Sequence, residues 1–98
     1  MRNSEAHGRD AAETFALQAL AWLLAEDDLR AVFLGASGLQ EADLRDQAAD
    51  PVFLASLLDF IMMDDAWVMR FCDSVGAGYD APMQARSLLP GGEIVHWT

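Results

Sequence analysis

Apolar side chains recur along this chain at helical spacing, in blocks separated by short acidic or glycine-containing runs. In the first block Ala16, Leu17, Leu20, Leu23 and Leu24 share one stripe of a helical wheel, and Phe15, Ala19 and Trp22 form a second stripe beside it. Only the line through Thr14, Gln18, Ala21 and Ala25 is left for water. Asp10 with Glu13 has capping-box spacing, so the helix is expected to start there, after a frayed leader over residues 1–9. A helix with so wide an apolar surface belongs at the centre of a fold or faces another subunit.

Glu26, Asp27 and Asp28 break the pattern and place negative charge where the dipole of a following helix favours it. A second helix is expected over Asp28–Ala36, with Leu29, Val32, Phe33 and Ala36 inward and glycine over 35–38 to end it. A short, alanine-rich third helix follows over Leu39–Ala49, with Leu44 and Ala48 inward. Asp50 before Pro51 is a strong start signal, because Asp can accept from the first free N–H groups and Pro at the first helical position loses no hydrogen bond. Helix four, Pro51 to Met63, is apolar over more than half its circumference through Phe53, Leu54, Leu57, Leu58, Phe60, Ile61 and Met62. It is the expected central partner of helix one.

Asp64 and Asp65 open a fifth helix, where Trp67, Val68, Phe71, Cys72 and Val75 repeat inward while Arg70 and Asp73 face out. Gly76, Gly78 and Asp80 end it, and Pro82 starts a short last helix through Leu89. After Pro90, Gly91 and Gly92 the chain is expected to be extended. The predicted architecture is all-α: a bundle of five to six short helices in one domain over residues 10–92, with a C-terminal tail over 93–98. Composition agrees, since Leu, Ala, Met, Phe and Trp dominate a 53% hydrophobic share and the β-branched residues are few. At 98 residues one core is expected, without disulfide or metal.

Charge narrows the partners. Sixteen acidic against six basic residues give a net charge of −10, which repels phosphate backbones and anionic lipid heads. Nucleic acid and membrane are therefore not expected as partners. No apolar run approaches the ~20 residues that cross a bilayer. Cys72 is the single cysteine, so no intrachain disulfide can form, and a reducing cytoplasm is the expected compartment.

No motif points to catalysis, metal or cofactor. One Cys and two His, His7 and His96, lie far apart in sequence and cannot supply zinc spacing, and neither His follows a Glu by three residues as di-iron bundles require. The acidic clusters lack the calcium-loop pattern. Ser37, Ser56, Ser74 and Ser87 have no His nearby in sequence to act as a base. Gly76-Ala77-Gly78 and Gly91-Gly92 fit helix ends rather than phosphate loops. The tail residues Ile94, Val95 and Trp97 are apolar at a chain end and are expected to dock, on their own domain or on another chain. With Phe15 and Trp22, Ile94 and Trp97 are the candidate interaction residues of a non-enzymatic interaction or structural module, for which a homodimer is one form. The alternative is a small-ligand binder or minor enzyme with a pocket among Trp22, Phe53, Trp67 and Phe71.

From Leu20 onward the order of features resembles an uncharacterised family known as domain of unknown function 3572. The resemblance is carried by Ala21-Trp22-Leu23-Leu24, Phe33-Leu34, Ser37-Gly38-Leu39 and Asp43-Leu44-Arg45. It continues through Ala49-Asp50-Pro51-Val52-Phe53-Leu54, Leu58-Asp59-Phe60, Asp64-Asp65 and Leu89-Pro90-Gly91-Gly92. It implies a compact helical protein of alphaproteobacterial type, and it carries no catalytic residues with it.

Overall fold

The computed structural model describes residues 3–89, with side chains from residue 8 onward. Helices are the only regular structure among them. In chain order they are α1 (Asn3–Ala25), α2 (Asp27–Ser37), α3 (Glu41–Gln47), α4 (Pro51–Ile61), α5 (Asp65–Val75) and α6 (Ala81–Ser87). Residues 93–98, with Ile94 and Trp97, lie outside the described residues, as do Pro90 to Gly92 and the two residues that open the chain.

Local chemistry sets most of the boundaries. The Asp50 carboxylate accepts from the Val52 N–H at 3.0 Å and the Asp64 carboxylate from the Ala66 N–H at 2.8 Å, so α4 and α5 start where the capping signals place them. Ahead of α3 the Gln40 N–H donates to Asp43 at 3.0 Å. Gly38 and Gly76 close α2 and α5 with φ of 75° and 70°, a left-handed conformation that costs glycine little. The start of α1 departs from expectation. The helix begins at Asn3, so Asp10 and Glu13 lie within it, and Glu13 pairs instead with Arg9 one turn earlier at 3.6 Å.

The core is dry. Ala16, Ala19, Leu23, Phe33, Leu57, Leu58, Ile61, Phe71 and Cys72 are completely inaccessible, and no charged or polar side chain is fully buried among the described residues. As expected, α1 and α4 form a central pair. However, α6 packs on α1 as extensively as α4 does, and it also packs on α4. Its Pro82, Ala85 and, just beyond its end, Leu89 are buried at helical spacing. The side chain of Leu88 lies against Gly8, where an added Cβ would sit 3.6 Å from it, so the end of α6 meets the beginning of α1. Arg86 of α6 reaches Asp59 of α4 at 2.9 Å, with both side chains largely shielded from water. Asp59 is thus a tie between helices rather than a solvated residue.

Several stripe residues point outward. Val32 is 49% exposed and Ala36 is exposed too, because α2 turns its Leu29–Phe33 line inward with Leu34, not Val32, beside it. Val75, in the last turn of α5, is also exposed. On α1 the expected water-facing line of Thr14, Gln18, Ala21 and Ala25 is exposed, and Leu17 joins it at 42%.

Candidate functional site

The candidate aromatics fall into two groups of rings. Along the seam of α1 and α5, Phe15 meets Phe71 edge-on at 5.2 Å and Trp22 meets the same ring at 5.6 Å. The Arg70 guanidinium lies 5.8 Å from the Trp22 ring centre, a cation–π contact, and pairs with Glu26 at 3.8 Å. Phe15 and Trp22 are each half-buried, so both are partly used by the core while keeping an accessible face. Elsewhere Phe33 bridges Phe53 at 6.0 Å and Phe60 at 5.0 Å, and Phe60 stacks on Trp67 at 5.1 Å. The four residues expected to line a pocket, Trp22, Phe53, Trp67 and Phe71, are divided between these two groups. Trp22 and Phe71 belong to one cluster and Phe53 and Trp67 to the other.

A concavity does exist, in a place the sequence did not mark. It lies between α1 and α3, has a volume of about 310 Å³, and is lined by Leu20, Leu24, Leu44, Ala48, Glu41 and Arg45. Its floor is apolar, and one acid and one base stand on its α3 rim. Leu17, Leu20 and Leu24 repeat at i, i+3 and i+7, so exposed Leu17 extends the apolar floor along α1. From there the surface continues onto Thr14, Gln18, Ala21 and Ala25, all exposed. No charged residue occurs between Glu13 and Glu26. At 1.5 Å per residue this gives about 18 Å of uncharged helix, in a molecule whose net charge is −10.

Among the described residues the four serines are engaged in local structure. Ser37 donates to the Leu34 carbonyl at 3.5 Å, Ser56 to Val52 at 3.2 Å, Ser74 to Phe71 at 2.7 Å and Ser87 to Gln84 at 2.7 Å. Each hydroxyl is thus bonded back onto its own turn of chain. The acidic run after α1 is tied by Glu26 to Arg70 and by Asp27 to Arg30 at 3.3 Å, and Arg30 donates to the Leu24 carbonyl at 3.3 Å at the end of α1. Among the described residues no three of the His, Cys, Asp and Glu side chains gather as a metal ion would require. Cys72 is fully buried. Burial, with the negative charges of Asp73 and Asp80 adding to it, pushes its thiol above the ordinary value of 9.0, so the neutral form is held near pH 7. Tyr79 donates its hydroxyl to Asp73 at 2.9 Å, and that hydrogen bond, then the charge behind it, raises its pKa.

No helix among the described residues is long and apolar enough to cross a membrane. The model of a family described as a protein of unknown function, DUF3572, matches residues 9–92, and the chain belongs to that family. No curated protein and no solved structure shows significant similarity to it.

Proposed function

We propose that this member of a family without an assigned activity is a non-catalytic protein-interaction module. Its working surface is the uncharged outward line of α1 together with the concavity between α1 and α3. The observation that carries this reading is the exposed position of Leu17, Gln18 and Ala21, beside a floor of Leu20, Leu24, Leu44 and Ala48, on a chain otherwise dense in acids. Exposed apolar surface continuous with a groove suits an incoming helix or apolar segment. Phe15 and Trp22, on the opposite flank of α1, remain candidate contacts at the edge of that surface. A bacterial cytoplasm is the compartment proposed, in keeping with a single, buried thiol.

Quantitative capture from the native cell, with full-length wild-type and Leu17→Glu chains as baits, tests the reading. A Val32→Glu bait, altered at an equally accessible apolar position elsewhere, is the control. A protein held by wild type and Val32→Glu but lost by Leu17→Glu is the expected result. Identical recovery on all three baits would overturn it. A second reading follows from the size of the concavity, which at about 310 Å³ lies at the lower end of the range that holds small molecules. A compound retained by wild type in native mass spectrometry and lost in Leu24→Glu would favour that reading.

A further inference from the structure

The partner that covers this surface can be chosen by its charge. Two copies of a chain carrying −10 repel one another, so a pair is favoured by a face that adds no net charge to the contact. The outward line of α1 is such a face, with Thr14, Leu17, Gln18, Ala21 and Ala25 all uncharged. Its flank on α3 carries one acid and one base, Glu41 and Arg45, at the rim of the concavity. These two are one helical turn apart, yet they form no ion pair with each other. Arg9, Arg30, Arg70 and Arg86 each have a carboxylate partner. Arg45 alone among the described arginines has none.

We propose that the occupant of this face is a second copy of the chain, packed about a two-fold axis that passes close to Ala21; the proposal rests on the interaction reading above. A two-fold contact is self-complementary, since residue i of one copy meets j of the other and j meets i. Antiparallel α1 helices crossing at Ala21 bring Leu17 of each copy to Ala25 and Leu24 of the other. Leu17 thereby enters the concavity floored by Leu20, Leu24, Leu44 and Ala48. The small side chains of Ala21 and Ala25 permit the close helix approach of ~8 Å that such packing needs. The same operation sets Arg45 of one copy against Glu41 of the second, and does so twice. This accounts for an acid and a base placed together at one rim and left unpaired in the single chain.

Light scattering and sedimentation of the full chain over a wide concentration series provide the test, with circular dichroism as the check that each variant is folded. Wild type is expected to dimerise. Leu17→Glu is expected to weaken the dimer ~100-fold, and Arg45→Glu or Glu41→Arg alone about ten-fold at low salt. Mixing the Arg45→Glu and Glu41→Arg chains sets two acids against two bases and should restore the affinity as a heterodimer. A wild type that stays monomeric throughout, or a mixture no tighter than either variant alone, overturns the proposal. If wild type is monomeric while Leu17→Glu still loses a captured protein, the interaction reading stands and the second copy is excluded. If Leu17→Glu alters neither self-association nor capture, both fail.

Discussion

α1 and α4 are written in nearly the same residues. Between Glu13 and Glu26 the first has only Thr14 and Gln18 among apolar side chains, and the second has only Ser56 and Asp59. Yet α4 buries Phe53, Leu54, Ala55, Leu57, Leu58, Phe60 and Ile61, whereas α1 leaves Leu17, Ala21 and Ala25 in solvent. The difference comes from their neighbours. α4 is short and lies among α1, α6 and the rings of α2 and α5, and its single charge is neutralised by Arg86. The 23 residues of α1 outrun the short helices available to cover them, and the seven residues of α3 close only part of its flank. An apolar helix is therefore not enclosed by composition alone; even a central one is covered only along the faces that its partners reach.

The contrast can be broken, most severely at α4. Replacing Leu58 by Ala should cost ~2–5 kcal/mol, read from denaturant melts, because the side chain is wholly enclosed. A change of only a few tenths would mean that α4 is not the packing centre. Arg86→Ala comes next. It removes the 2.9 Å tie to Asp59, whose second carboxylate oxygen is buried without a hydrogen-bond partner, and should cost ~1.5–3 kcal/mol. Recovery of that loss in an Arg86→Ala, Asp59→Leu double variant would sharpen the point, since an apolar pair strands no charge. The smallest effect belongs to α1: Leu17→Ala, measured at concentrations low enough to hold single chains, should shift stability by no more than ~0.5 kcal/mol. A loss as large as that of Leu58→Ala would place Leu17 in the monomer's own core.

Much of this was legible in the pattern of residues. The caps Asp50 and Asp64, the water-facing line of α1 and the inward residues of α4 follow from spacing and from backbone hydrogen-bond needs, both of which are local properties. The tie between Asp59 and Arg86 was not legible, because the two lie in different helices and each reads as a solvated charge on its own turn. The weight carried by α6 was also hidden, since Pro82 and Ala85 are too small to register as a hydrophobic stripe although they are well suited to close packing. Of the stripe expected on α2, Leu29 and Phe33 turn inward, but Val32 and Ala36 do not, and Leu34 packs beside the core instead. The concavity between α1 and α3 depends on how far apart two helices stand, and no periodicity within either helix encodes that distance.

The meeting of Leu88 with Gly8 also affects how the chain is made. Among the described helices α1 is synthesised before α6, yet these two need each other's surface to complete the core. The first helix therefore emerges well before its final partner exists, with its leucines still seeking cover, and the domain cannot close until nearly the whole described chain has been released. Such dependence on distant contacts favours late, cooperative folding over stepwise assembly and leaves the nascent α1 reliant on transient protection.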